Sequence, residues 1–218
     1  MITCVIPVFN EPKERIHRSV KSALDANFPR VMLVDDGSDE PVVYANNRVY
    51  VRRLEKNSGP AAAYNAGIEA SRDDYIAFLD CGDVFFEEKW QQVEWTMQNA
   101  YRATFSRCID ELTGEVRHLR DDWQKAMFMD NQFQHSTIVF NRNATGYLDE
   151  SLRWGSDNEF HARVQRDVGW KCFDVVTGTA TAWPDGDTAT ADPEARRKCQ
   201  RDVMALMRKY KREAVTHV

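Results

Sequence analysis

The stretch Arg30-Val31-Met32-Leu33-Val34-Asp35-Asp36-Gly37-Ser38 decides the architecture. Residues 30–34 form an apolar, β-branched run that stops at two acids, a glycine and a serine. A short apolar run bounded by turn residues reads as a strand buried on both faces. Such strands belong to parallel sheets covered by helices. Residues 3–9 are a run of the same kind, and 11–25 have helical spacing, with Ile16, Val20, Ala23 and Leu24 toward the core. Residues 47–54 read as a third strand. Ser58-Gly59-Pro60 opens a helix that runs to about Ser71, with Pro60 where its missing N–H costs nothing. Residues 75–79 are a fourth strand, ending at Asp80-Cys81-Gly82-Asp83. This alternation predicts an α/β fold: a parallel sheet with helices on both faces, whose ligands sit outside the carboxyl ends of the strands.

The second half is less regular. Residues 87–100 read as a helix, 104–109 and 115–119 as a hairpin around Leu112-Thr113-Gly114, and 136–140 as a strand. A helix over 156–168 and a strand over 171–179 follow, then a loop over 183–192 rich in Gly, Asp, Thr and Pro. The last helix, about 193–212, carries Arg196, Arg197, Lys198, Arg201, Arg208, Lys209, Lys211 and Arg212. With no repeat or linker in view, residues 1–218 read as one domain.

Composition narrows the function classes. Twenty-nine Lys and Arg against 34 Asp and Glu give a net charge of −5, which argues against a generic nucleic-acid binder. Hydrophobic residues at 43% and charged residues at 29% describe a globular chain. No apolar run approaches the roughly 18 residues of a membrane span, and Met1-Ile2-Thr3-Cys4 lacks the basic start of a secretory leader. The cysteines, at 4, 81, 108, 172 and 199, show neither zinc spacing nor a disulfide framework. Reduced thiols and a cytoplasmic location are expected.

No GxGxxG follows the first strand and no GxxxxGK[ST] occurs. The strand ends instead carry Asn10-Glu11, Asp35-Asp36 and Asp80…Asp83. Carboxylates repel phosphates; they suit a base N–H, ribose hydroxyls or a bridging divalent cation. Each cluster taken alone also reads as a turn. Ser156-x-x-Glu159 has the form of a capping box, which puts Asp157 in a first helical turn favoured by the helix dipole.

The ordered set of Val5-Ile6-Pro7-Val8-Phe9-Asn10, Leu33-Val34-Asp35-Asp36-Gly37-Ser38, Asn57-Ser58-Gly59…Asn65-Ala66-Gly67-Ile68 and Tyr75-Ile76-Ala77-Phe78-Leu79-Asp80 resembles the inverting family-2 glycosyltransferases. Ser136-Thr137-Ile138-Val139-Phe140, Gly146-Tyr147-Leu148-Asp149-Glu150-Ser151-Leu152 and Gly155-Ser156-Asp157…Arg163 extend the likeness over about 2–165. The resemblance implies the GT-A fold, a mixed, mostly parallel sheet with helices on both faces, with about 1–100 binding a nucleoside-diphosphate sugar (a UDP-sugar first) and about 101–218 facing the acceptor. It implies that Phe9 stacks on the base, that Asp36, supported by Asp35, accepts a hydrogen bond from it, and that Asp80 faces ribose and diphosphate. Pro7, Glu11 and Asn65 fall in the donor-binding set, and Asp157 is the catalytic base. His135 and Trp154 stand on the acceptor side, with Trp183 beside the site. Asp80 and Asp83 are the expected acids for Mn2+ or Mg2+.

Three positions depart from the family pattern: Gly82 stands at the second acid of Asp-x-Asp, Ser156 precedes the base where Glu is usual, and Tyr64 takes a place often held by Arg. The late family His has no clear counterpart, Asp185 or Asp187 being the substitutes on offer. Two rivals follow, a non-catalytic nucleotide- or glycan-binding module and a sugar nucleotidyltransferase. The acceptor class stays open among a glycan, a lipid-linked sugar, a protein and a modified nucleic acid. The basic last helix reads as a solvated face, a membrane-surface contact or a polyanion contact.

Overall fold

The computed structural model describes residues 1–117, 119–129, 134–180 and 192–214. Among these residues seven strands form one sheet in the order β3-β2-β1-β4-β6-β5-β7. In chain order these are β1 (Ile2–Val8), β2 (Val31–Asp35), β3 (Val49–Arg53), β4 (Tyr75–Phe78), β5 (Ala103–Asp110), β6 (Val139–Asn141) and β7 (Lys171–Ala180). β1 pairs in parallel with β2 and β4, β2 with β3, and β5 with β7; β6 alone is antiparallel, between β4 and β5.

The central strands are buried on both faces because successive side chains point opposite ways. Val5, Val34, Ile76 and Phe78 face α2 (Pro60–Ala70) and α6 (Ser156–Asp167). Cys4, Ile6, Leu33 and Ala77 face the other way, toward α1 (Lys13–Asp25), with α3 (Glu88–Gln98) on the same side. Gly67 lets α2 approach the sheet closely, since a Cβ there would lie 2.3 Å from Val5 Cγ1. Short helices α4 (Trp123–Ala126) and α5 (Arg142–Thr145) lie in the second half. The final helix, α7 (Pro193–Ala214), packs Val203 and Met207 with Ala162 of α6.

Two expected elements come out differently. Among the described residues of 115–119 no strand forms: the arm meets β5 at the bridge Ile109–Val116, on a stretch of β5 that is still paired with β7 through Ile109 and Thr179. Residues 136–140 split into a 3-10 turn (His135–Thr137) and the three-residue β6. The turn forms because its hydroxyls find other partners: Thr137 Oγ1 donates to Gln134 O at 2.6 Å, and Ser136 turns to the end of β4.

Candidate active site

Parallel pairing places the ends of β1, β2 and β4 on one rim. Asp36 N donates to Val8 O at 2.8 Å, and Asn10 N donates to Ser38 Oγ at 3.0 Å, zipping the first two strand ends together. Phe9 stands at this rim 43% exposed, a free aromatic face beside polar loops. Pro7 lies inside β1, in register with Val34.

Asp35 is fully buried. It accepts from Ser38 N at 2.8 Å and Val42 N at 3.1 Å and pairs with Arg53. Burial pushes its carboxyl up, but those bonds outweigh it and hold it below the usual range. Asp36, 3% exposed, accepts the backbone N–H groups of Ser58 and Gly59, each at 2.8 Å. It satisfies two orphan donors at the start of α2 from a distance. Each oxygen keeps a second lone pair. Burial raises its pKa against those bonds and against the nearby Arg153 guanidinium.

The end of β4 is pinned from two sides. Ser19 Oγ of α1 accepts Gly82 N and donates to Asp83 O, both at 2.8 Å. Ser136 Oγ accepts Asp80 N at 3.0 Å and donates to Asp83 Oδ2 at 2.5 Å. Lys89, fully buried, donates to Ser136 O at 3.2 Å. Gly82 sits at φ 104°, a backbone conformation that an aspartate rarely adopts, so the missing second acid has a local cause.

Asp80 and Asp83 therefore diverge. Asp83 is 2% exposed and its carboxylate is engaged by Ser136, so it does not open onto the rim as the second metal acid expected there. Asp80 is half-buried and accepts the Tyr64 hydroxyl. Among the described residues, no group of three or more His, Cys, Asp or Glu side chains is placed to hold a metal ion. What fits is narrower: one carboxylate, Asp80, of the kind that holds Mg2+ together with substrate phosphates.

Asp157 opens α6, which packs against β4 through Phe160 and Phe78, ring centroids 6.4 Å apart, and lies within electrostatic reach of Asp80: burial pushes the Asp80 carboxyl up, the Tyr64 bond pulls it back, and the charge of Asp157 adds to the push. Burial raises Asp157 too, against backbone N–H bonds from Asn158 and its own residue. The capping box is not made. The N-cap is Gly155, while Glu159 accepts Arg163 Nε and Tyr210 Oη, both at 2.8 Å.

Asn65 also has a structural task. It is buried, and its side chain clamps the 148–150 segment: Nδ2 donates to Leu148 O at 3.0 Å and Glu150 Oε1 at 2.8 Å, and Oδ1 accepts Leu148 N at 2.9 Å. Glu11 pairs with Arg15 at 2.8 Å. His135 is 6% exposed, with Nδ1 3.1 Å from His161 Nε2, while its own Nε2 lacks a partner among the described residues. The Trp154 indole N–H is likewise unpartnered there, and its carbonyl accepts Cys199 Sγ. Trp183, Asp185 and Asp187 lie outside the described residues.

Sequence reasoning passed over Arg153, Ser19 and His161. Arg153 Nη1 donates to Asn57 Oδ1 at 3.2 Å, placing a guanidinium beside Asp36. Ser19 had a signal, a polar side chain on the core-facing stripe of α1 next to Val20. A cavity of about 470 Å³ lined by Met1, Ile2, Trp90 and Met97 lies at the opposite end of β1, away from this chemistry.

The sheet order and the rim define the nucleotide-diphospho-sugar transferase fold, GT-A. Staphylococcus aureus TarS 1-349, solved with UDP-GlcNAc, superposes with a TM-score of 0.74 at 16% identity, over 94% of this chain and 66% of that one. The family model for glycosyl transferase family 2 matches residues 3–152, and the chain belongs to that family. An uncharacterized glycosyltransferase of Haemophilus influenzae is 29% identical over 163 residues, 68% of this chain and 65% of the relative. The putative teichuronic acid biosynthesis glycosyltransferase TuaG of Bacillus subtilis is 29% identical over 116 residues, 49% of this chain and 46% of that protein. The chain thus spans less than two thirds of these relatives' length. Among the described residues no helix is long and apolar enough to cross a membrane.

Proposed function

We propose that this chain transfers one sugar from a nucleoside-diphosphate donor, a UDP-sugar, to an acceptor hydroxyl with inversion. The observation that carries the reading is the packing of the start of α6, which carries Asp157, against β4 through Phe160 and Phe78, which sets Asp157 within electrostatic reach of Asp80 at a strand end whose rim also presents Phe9 and Asp36. TarS, which shares the fold, has been solved with UDP and with UDP-GlcNAc.

In this reading Phe9 stacks on the base, Asp36 accepts its N–H, and Arg153 offsets negative charge near Asp36. The acceptor oxygen bonds to the anomeric carbon as the bond from that carbon to the diphosphate oxygen breaks. Asp157 takes the acceptor's proton, and burial suits it to this by raising its basicity. A single displacement inverts the centre, which separates Asp157 from a nucleophile. Asp80, with the donor's own phosphates, would hold Mg2+ or Mn2+, which when bound supplies Lewis-acid stabilisation of the departing diphosphate. Tyr64, kept protonated by burial and by Asp80, orients the Asp80 carboxylate.

Thermal unfolding with UDP or GDP, with and without Mn2+, followed by slow hydrolysis of a panel of nucleotide sugars, tests the reading. Stabilisation by UDP and donor hydrolysis lost in Asp157→Asn are expected. UDP stabilisation with wild-type hydrolysis unchanged in Asp157→Asn would remove Asp157 as the base. Stabilisation by a nucleoside triphosphate with sugar phosphate, and none by UDP, would point to a nucleotidyltransferase.

A further inference from the structure

We infer that the outer face of α7 is a docking surface for an anionic membrane. Its inner face is spent: Val203 and Met207 pack with Ala162 of α6, Tyr210 Oη donates to Glu159 at 2.8 Å, and Glu213 pairs with Arg166 at 2.8 Å. At 3.6 residues per turn, Arg197, Arg201, Arg208 and Arg212 fall within about a sixth of the circumference, in a row about 22 Å long. All four are exposed, and none has an ion-pair partner among the described residues. Lys198 and Lys209 flank them, and the exposed acids of the helix are Glu194 and Asp202.

This row sits on a chain whose net charge is −5, so its attraction is one-sided and orients the molecule. Two observations favour a lipid surface over a nucleic acid. No aromatic side chain stands on the exposed face to stack a base; Tyr210 is taken up by the Arg166 guanidinium 4.3 Å from its ring centroid. At the last turn, Lys211 Nζ lies 3.7 Å from the sulfur of Met129, an apolar side chain left 43% exposed. Cations with an apolar edge suit the headgroup region. Because α7 packs on α6, such docking holds the helix that carries Asp157 next to the bilayer.

The test needs no sugar donor, so its result is independent of the proposed transfer reaction. The purified chain is sedimented with vesicles of phosphatidylcholine alone and with about 30% phosphatidylglycerol. Wild type should bind the anionic vesicles about 600-fold more tightly than the neutral ones and release as salt rises toward about 300 mM. Each Lys or Arg near an anionic leaflet is worth about fivefold, so R197Q/R201Q/R208Q/R212Q should lose most of that preference with an unchanged melting temperature. The matching all-Lys variant, R197K/R201K/R208K/R212K, should keep it. Equal binding to both vesicle types, binding to neither at low salt, or retention by the Gln variant would overturn the inference. Tighter capture of duplex DNA than of anionic vesicles at matched salt would overturn it in favour of a polyanion.

Discussion

Phe9 and Asp36 show how differently two residues of one rim earn their places. Phe9 is held by little and exposed; Asp36 is built into the start of α2 by two backbone N–H groups. Phe9→Ala should therefore weaken UDP binding by about 10-fold, given base–aromatic stacking of about 1–3 kcal/mol, while moving the urea midpoint little; calorimetric titration and urea unfolding read the two effects separately. Asp36→Ala should behave otherwise, leaving Ser58 and Gly59 N–H without their acceptor at a cost of about 1–3 kcal/mol of stability, seen as a lower urea midpoint even without ligand. At Asp157 the expectation is again a split: Asp157→Asn should slow donor turnover by about 100-fold or more and leave the UDP-induced thermal shift intact.

At the scale of elements, two contacts decide whether the halves of the chain meet. Asn65 of α2 clamps the segment leading toward α6, so Asn65→Ala should cost about 1–3 kcal/mol by unpairing the buried amide of Leu148. A binding residue would instead change UDP affinity at unchanged stability, and chemical denaturation beside UDP titration tells the two apart. The α2–β1 contact is equally tight. Gly67→Ala puts a methyl 2.3 Å from Val5 Cγ1 and should cost about 1–3 kcal/mol by overpacking, read as a lower thermal midpoint.

For the whole molecule, pH is the informative variable. Burial lowers both His135, to about 3, and His161, further disfavoured by its neighbour. A histidine depressed on folding takes up its proton more readily in the unfolded chain, so its stabilising effect is full above the unfolded pKa of about 6.5 and fades as pH falls below it. The raised carboxyls of Asp36, Asp80 and Asp157 act in the opposite sense, binding protons more readily when folded. His161→Gln isolates the histidine effect. The stability advantage of wild type over this variant should shrink by up to about 1.4 kcal/mol per pH unit below about 6.5, in urea titrations from neutral to mildly acidic pH. An advantage independent of pH would mean that His161 is not held neutral by burial.

The order of elements along the first half, the burial of its strands on both faces and the gathering of Phe9, Asp36 and Asp80 at one rim were legible in the residues. They follow from local rules: apolar period, turn chemistry and the parallel pairing that alternation imposes. The partners of Asp83 and Asn65 could not be read there because they are distant in sequence: Ser136 bonds one, and Leu148 with Glu150 the other. The capping box failed because α6 starts at Ser156 with Gly155 as its N-cap, and Glu159 turns to Arg163 and Tyr210 instead. A sequence fixes which groups a chain owns and which face of an element they share. Which lone pair is spent inside and which is left for a ligand is settled when elements pack, because buried polar atoms take the partners that geometry brings.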